Sequence, residues 1–235
     1  RPRAGRVRRG VSGRDGRAGA SRVQGRGLEG EAAVGAVAEV AEVGEVGRLP
    51  VLARVMRGGF EESVHRGWAV LADASGRVVA SAGDPERPAF MRSSLKPIQA
   101  AAALLAGAGT FGLTPAEVAV LCGSHMGEAY HVAAVSSVLR KAGVPPGALE
   151  CGVHEPVHRP TAREMLRRGE EPGPLHSNCS GKHAGMLAAV RAMGAPIQGY
   201  RSPDHPLQRD ILALVSRLSG VPQEEIGTGA DGCGG

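Results

Sequence analysis

Residues 92–99 read Arg-Ser-Ser-Leu-Lys-Pro-Ile-Gln, and they separate two kinds of sequence. Before them, residues 52–57, 64–72 and 78–81 are rich in Val, Ala and Leu with partial alternation, which predicts a β-meander or hairpin around a turn at 74–77. After them, helical signals follow one another to the end of the chain. A hairpin followed by many helices predicts an α+β fold, or a sheet with helices on its faces.

The helices after residue 92 are predicted from capping residues, prolines and glycines. They are expected at 94–105, after the capping box Thr114–Glu117, at 129–142, after a second capping box Thr161–Glu164, at 182–193, and from Ser202-Pro203 to Gly220. The chain has 235 residues with only 3% aromatics, so its core must consist mainly of Ala, Val and Leu. This length predicts one or two domains.

Composition also excludes several classes of protein. No run of 18 apolar residues is present, so a membrane-spanning helix is not expected. Four cysteines are too few for a disulfide scaffold, and no secretory segment follows the basic start. A reduced, cytoplasmic setting is therefore expected, with thiols free for structure, metal binding or catalysis.

The first 48 residues differ from the rest. Residues 1–27 carry nine arginines and one acid, Asp15, so the net charge of +5 comes from this segment and the remainder is mildly acidic. Residues 28–47 are a near-repetition of Gly, Ala, Val and Glu, which cannot bury enough apolar surface to order a fold. We expect a disordered or wrongly included extension. An RNA-binding arm is the alternative, but no aromatic residue interleaves the arginines.

Four segments carry residues that could do chemistry. In the first, Ser93 and Lys96 lie one helical turn apart, so the amine could accept the serine proton, although a capping serine beside an exposed lysine has the same spacing. Penicillin-binding proteins and serine β-lactamases share this S-x-x-K pattern, but their K-T-G and S-D-N elements are missing here.

The other three segments are Cys122–Glu128, Ser177–His183 and Asp231–Gly234. Ser177–His183 is not a P-loop, because His183 replaces the required Ser or Thr. The residues alone do not identify a metal site, since Cys-x-x-Cys is absent and lysine is a rare ligand. Cys151 and His154 form a rival Cys-x-x-His pair for which structural roles are the simpler interpretation.

Taken together and in order, these segments resemble one family. The matching stretches are Arg-Ser-Ser-Leu-Lys-Pro-x-Gln (92–99), Cys-Gly-Ser-His-x-Gly-Glu-x-x-His-Val (122–132), Asn-Cys-Ser-Gly-Lys-His-Ala-Gly-Met-Leu (178–187) and Asp-Gly-Cys-Gly (231–234), supported by 57–63 and 203–206. The chain resembles the bacterial asparaginase II-like family, the rhizobial type of L-asparaginase, over residues 52–235. We expect this range to form the domain.

The resemblance implies hydrolysis of L-asparagine to L-aspartate and ammonia by a fold similar to serine β-lactamases and serine-dependent glutaminases, a mixed sheet with helices. It implies that Ser93, Lys96 and Ser124 are catalytic, with the attacking serine left open. It implies that Arg92, His125, His183 and Asp231 contact or lie near the substrate, and that Cys179, Lys182 and Cys233 bind Zn²⁺ together with water.

The ends of the chain depart from the family pattern. Members continue beyond Asp-Gly-Cys-Gly with further strands, helices and a second active-site lysine, so a truncated product with an incomplete domain is expected, and its activity stays open. Another serine amidase or glutaminase remains an alternative, as does a non-enzymatic module that binds nucleic acid through its arginine tail. The expected partner is a small-molecule substrate. A membrane partner is not expected, nucleic acid is disfavoured, and a homodimer is left open.

Overall fold

The computed structural model describes residues 49–229. The predicted extension 1–48 and the predicted site residues Asp231 and Cys233 lie outside the described residues. The described part divides into two compact units, residues 49–87 and 88–229. None of its helices has the length and apolar character needed to cross a membrane.

The first unit consists of two antiparallel hairpins. Strands β1 (Val51–Arg57) and β2 (Phe60–Arg66) pair across Gly58-Gly59, and β3 (Ala69–Ala72) pairs with β4 (Val78–Ala82). Both glycines have a positive φ, which a tight turn requires here and which other residues rarely adopt. The second turn is closed by Asp73, whose carboxylate accepts hydrogen bonds from the backbone N–H groups of Ser75 and Arg77. Residues 64–72, expected to be one extended segment, are divided at Gly67, so two separate two-stranded sheets form.

The second unit contains the helices. Their bounds are α1 Lys96–Leu105, α2 Pro115–Leu121, α3 Ala129–Ala142, α4 Arg159–Arg168, α5 Ser180–Met193 and α6 Pro206–Ser219. Helix α5 is central, because residues 180–190 are all buried and the helix packs against α1, α2 and α3. Helix α6 packs mainly against α1. The core is built mainly from Ala, Val and Leu side chains, as the composition predicts.

Two glycines let α2 lie directly on α5. A Cβ on Gly181 would come within 2.1 Å of the carbonyl oxygen of Val120, and a Cβ on Gly185 would come within 2.6 Å of the Leu121 side chain. Real Cβ atoms do not tolerate such distances, so only glycine fits at these positions. The sequence Ser-Gly-Lys-His-Ala-Gly therefore fixes the approach of α2 to the first turns of α5.

Some of the predicted helix starts and ends are confirmed, and others differ from the prediction. The Thr114–Glu117 capping box exists, with Glu117 N–H donating to Thr114 Oγ1 at 3.3 Å and Thr114 N–H donating to Glu117 Oε2 at 2.6 Å. Helix α3 matches its predicted range and ends at Gly143. Helix α1 begins slightly later than predicted, at Lys96, after a 3₁₀ turn over Arg92–Leu95.

Two helix starts were predicted wrongly. Helix α4 begins at Arg159 with His158 as its cap residue, so Thr161 lies inside the first turn and no Thr161–Glu164 capping box forms. Helix α6 begins at Pro206, because the His205 ring accepts a hydrogen bond from Leu207 N–H and Ser202-Pro203 belongs to the preceding turn. The helices with two small sheets agree with the predicted α+β class. The finer similarity to serine β-lactamases stays a prediction.

Candidate functional site

The start of α1 holds the first predicted catalytic pair. Lys96 is the first residue of α1 and is 2% exposed, whereas Ser93 lies in the exposed 3₁₀ turn that precedes it. Arg92, just before Ser93, has a φ of +50°, and within residues 49–229 no other non-glycine residue has a positive φ. Such sparsely populated backbone persists only when its surroundings hold it, and it clusters at functional sites. The strain at Arg92 therefore marks this turn as a functional candidate.

The amine of Lys96 contacts the second predicted serine. Lys96 Nζ donates a hydrogen bond to Ser124 Oγ at 2.5 Å. Ser124 belongs to residues 122–128, the Ser124 loop, which connects α2 to α3. The structure thus brings together two predicted catalytic residues that are 28 positions apart.

His125, the neighbour of Ser124, is buried and bonded inside the protein. Its backbone N–H donates to Asn178 O at 3.1 Å, its ring Nε2 lies 2.8 Å from Ser180 Oγ, and its Nδ1 accepts from Gly127 N–H at 3.1 Å. Because Nδ1 accepts, the ring proton sits on Nε2 and is donated to Ser180, whose hydroxyl donates to Leu175 O at 3.0 Å. Burial, followed by the charges of His131 and Lys96, lowers the pKa of His125 to about 4, so the ring is neutral at neutral pH.

The first turn of α5 holds two of the three predicted zinc ligands. Cys179 caps the helix and Lys182 lies one turn further on, and both are buried. Zinc binds thiolate sulfur well, and the nitrogen of a deprotonated lysine amine can serve as a second metal ligand. Within the described residues, no group of three or more His, Cys, Asp or Glu side chains is arranged to hold a metal. The third predicted ligand, Cys233, falls outside that range, so the zinc site stays a prediction.

His183 lies in the core beside this turn. Its Nδ1 is 2.6 Å from the Tyr200 hydroxyl, and the two rings meet edge to face at 84°. The same hydroxyl accepts a hydrogen bond from Glu150 N–H at 2.9 Å. Burial raises the pKa of the Tyr200 phenol far above its ordinary value, so the phenol keeps its proton and can donate it to His183. His183 Nδ1 is therefore hydrogen-bonded to Tyr200 within the protein core.

Sequence reasoning assigned no role to two residues that shape this region, Ser180 and Tyr200, and it considered His154 only as a member of the Cys-x-x-His pair. His154 accepts a hydrogen bond from Asn178 N–H at 3.1 Å through Nε2, and its Nδ1 is 2.7 Å from Glu155 O. Cys151 donates instead to Pro174 O at 3.5 Å, and burial raises the pKa of its thiol. The Cys-x-x-His pair therefore binds two parts of the segment before α5, in agreement with a structural role.

A cleft of about 590 Å³ lies between α3 and α4. Its lining includes Gly127 of the Ser124 loop, together with His158 and His176, but not Ser93, Lys96 or Ser124. The Lys96–Ser124 pair thus lies outside this cleft.

Comparison with known proteins supplies one match. The family model described as L-asparaginase II matches residues 53–235. A search of curated proteins gave no match. The matched range contains all ten residues to which the resemblance assigns a catalytic, substrate-binding or metal-binding role.

Proposed function

The chain belongs to the L-asparaginase II family, and on that premise we propose that it hydrolyses the side-chain amide of L-asparagine to give L-aspartate and ammonia. The observation that carries the proposal is the hydrogen bond between the Lys96 amine and the Ser124 hydroxyl. Amide hydrolysis by a serine needs a nucleophile with a proton acceptor within hydrogen-bonding reach. This pair supplies both.

In the proposed reaction, Ser124 attacks. This step requires the deprotonated form of the Lys96 amine, which takes the proton from Ser124 Oγ as the oxygen forms a bond to the amide carbon of the substrate. The carbon–nitrogen bond then breaks, and the leaving nitrogen takes the proton from the Lys96 ammonium and departs as ammonia. Water attacks the resulting ester with Lys96 again accepting a proton, and the broken ester bond returns the hydroxyl to Ser124.

Ser93 and Arg92 take the substrate-holding role in this proposal. Both lie in the exposed 3₁₀ turn directly before Lys96, so they are open to a small molecule while the lysine is buried. A guanidinium binds a carboxylate through two parallel hydrogen bonds, and L-asparagine carries such a group. The strained φ of Arg92 supports a role in which its orientation matters. Asp231, implied by the resemblance, is the proposed partner for the substrate ammonium.

We propose in addition that Cys179, Lys182 and Cys233 bind Zn²⁺. Support comes from the burial of Cys179 and Lys182 on one turn of α5 and from the preference of zinc for thiolate sulfur. When bound, the ion would supply positive charge and crosslink α5 to the segment around Cys233. Proton transfer remains with Lys96.

The zinc proposal is tested by metal analysis of the purified full chain. Cys179→Ser should lose the zinc that the unsubstituted protein carries, while Cys122→Ser, a cysteine outside the proposed ligand set, should keep it. Equal zinc in the unsubstituted protein and Cys179→Ser would exclude this ligand set, and so would a protein that binds no zinc from a zinc-containing buffer.

The catalytic proposal is tested by measuring ammonia release from L-asparagine and L-glutamine. Ser124→Ala should reduce kcat by about 10³-fold or more, since removing a nucleophile leaves only binding and electrostatic contributions. Ser93→Ala should raise KM with a smaller change in kcat. The reverse pattern would make Ser93 the nucleophile. Faster release from L-glutamine would assign a glutaminase instead, and no release from either amide would refute the proposed function.

A further inference from the structure

The resemblance gives His125 a place at the substrate, but its surroundings suit another role. The side chain is 5% exposed, and both ring nitrogens already have partners in the protein, Ser180 Oγ and Gly127 N–H. A ring engaged in this way has no donor or acceptor left for a substrate. Its neighbour in sequence, Ser124, is by contrast exposed and contacts Lys96.

We propose that His125 is a positioning residue, which fixes the hydroxyl of Ser124 against Lys96 by tying the Ser124 loop to the first turn of α5 through Ser180. This inference rests on the proposed function for its kinetic consequences. Its geometry stands on the hydrogen bonds alone.

The connection between the two elements can be followed atom by atom. His125 Nε2–H donates to Ser180 Oγ, and the Ser180 hydroxyl donates to Leu175 O, so a polar chain runs from the Ser124 loop into the segment before α5. The backbone bond from His125 N–H to Asn178 O runs beside it. Within the loop, Gly127 N–H donates a hydrogen bond to His125 Nδ1 and so links residues 125 and 127. The loop is thus attached at residue 125 through both its backbone and its side chain.

Rigid surroundings give this connection its effect. Ser180 sits on the most deeply buried helix, and the neighbouring Gly181 touches the backbone of α2 just before the Ser124 loop begins. The loop is therefore held at its start by helix packing and at His125 by hydrogen bonds. A shift of about 1 Å in a reacting group can reduce a rate by about 10²-fold, so loosening one attachment is expected to appear in kcat.

Two amide substitutions test the two ring nitrogens of His125 separately. His125→Gln places an N–H donor near the position of Nε2 and can keep the bond to Ser180. His125→Asn places its amide near Nδ1, keeping the contact within the loop but losing Ser180. We expect His125→Asn to lower kcat by about 10-fold to 100-fold with KM little changed, and His125→Gln to retain kcat within a few-fold. Ser180→Ala should lower kcat about as much as His125→Asn, and the double variant should lower it no further, because both substitutions remove the His125–Ser180 hydrogen bond; Ser180→Ala also removes the bond to Leu175 O.

His205 provides the matched control. It is also buried, and both ring nitrogens bind the protein, Leu207 N–H on Nδ1 and Pro196 O on Nε2, at the start of α6. His205→Asn should lower stability as a loss of buried hydrogen bonds does, while kcat and KM per folded molecule stay unchanged.

Hydrogen exchange of backbone amides gives a readout independent of activity. His125→Asn and Ser180→Ala should speed exchange across residues 122–128, whereas His125→Gln should not and His205→Asn should affect only the region of α6. Raised KM in both His125 variants with a silent Ser180→Ala would identify a substrate ligand and overturn the proposal, as would unchanged exchange in the loop. If the unsubstituted protein hydrolyses neither amide, the proposed function fails, and the exchange experiment still decides the role of His125.

Discussion

The starts of α1 and α5 look alike in sequence and differ in structure. Each places a lysine three residues after a side chain that could be a nucleophile or ligand, Ser93 before Lys96 and Cys179 before Lys182. Both lysines are buried, at 2% and 5% exposure. Ser93, however, stays exposed in a 3₁₀ turn, whereas Cys179 is buried at the cap of α5.

The difference shows that packing between elements decides what such a lysine meets. At α1, the amine reaches across to Ser124 on the loop between α2 and α3. At α5, Gly181 allows α2 to lie directly on the helix, and Cys179 and Lys182 are both buried there. The same local spacing thus accompanies a lysine that contacts a distant serine in one place and a buried cysteine–lysine pair in the other.

The largest expected effect comes from removing the first of these lysines. Lys96→Met keeps a buried side chain of similar length but removes the amine that contacts Ser124. We expect asparagine hydrolysis to fall by about 10³-fold or more, with the zinc content unchanged, because the proposed proton acceptor is lost and the proposed zinc ligands on α5 are intact. Steady-state ammonia release and metal analysis on the same sample measure the two quantities.

Lys182→Met is the counterpart at α5. It should reduce bound zinc while the hydrogen bond between Lys96 and Ser124 remains available. If Lys96→Met removes zinc and spares hydrolysis, or if both variants behave alike, the division of roles between the two helix starts is wrong.

The second effect concerns Gly181, which lies against α2 at the start of α5. On helix propensity alone, Gly181→Ala should stabilise a helix by about 1 kcal/mol. Here the added Cβ would lie 2.1 Å from Val120 O, so α2 must move, and we expect a loss of about 3 kcal/mol instead. Urea unfolding at neutral pH measures it. Gly147→Ala, where nothing lies within 4 Å of the added atom, should change stability little. Equal effects at the two glycines would show that the close approach is unimportant.

Local signals predicted the fold where the cause is local. Thr114 and Glu117 bond each other's backbone, and Gly143 ends α3 in the left-handed conformation, so both ends could be placed from the sequence. Thr161 and Glu164 have the same spacing as Thr114 and Glu117, yet the helix starts earlier, because Pro160 fits the first turn of a helix and His158 takes the cap position. The pattern alone does not distinguish a cap residue from one inside the first turn.

The sequence indicated candidate site residues but not which of them contact each other. The resemblance gathered Lys96, Ser124 and His125, whereas the spacing paired Lys96 with Ser93. Contact between Lys96 and Ser124 depends on how α1 and α2 pack, which no short pattern encodes. Ser180 and Tyr200 were missed for the same reason, since their partners His125 and His183 are far from them in sequence or on another element.

A third, intermediate effect concerns α2, which lies on α5 at Gly181 and leads into the Ser124 loop. Glu117 is buried there beside Lys141, with 2.6 Å between Oε2 and Nζ. Burial alone would raise the pKa of Glu117, but hydrogen bonds from Lys141, Ser137 and Thr114 outweigh it and lower the pKa to about 2. The folded state therefore favours the carboxylate. The stability that it contributes is present above the unfolded pKa of about 4.5 and is lost as the pH falls toward 2.

Glu117→Gln should accordingly lower the free energy of unfolding at pH 7 by about 2 kcal/mol, the usual value for charged hydrogen bonds. It should also remove part of the decline in stability between pH 4.5 and pH 2. Urea unfolding at several pH values measures both. Glu164→Gln, at an exposed pair with Arg167 and Arg168, is the control and should change little. Parallel pH curves for the unsubstituted protein and Glu117→Gln would contradict the assignment.

The smallest effect tests how the first turn of α5 is held. Tyr200→Phe keeps the ring against His183 but removes the hydroxyl that binds His183 Nδ1 and Glu150 N–H. We expect a loss of about 1–2 kcal/mol, because a buried imidazole nitrogen loses its partner. Tyr130→Phe, at the other tyrosine, which is 65% exposed, should cost far less. His183 directly follows Lys182, so Tyr200→Phe should also weaken zinc retention if this turn positions the proposed ligand. Unchanged zinc binding with the same loss of stability would show that Tyr200 contributes to core stability alone.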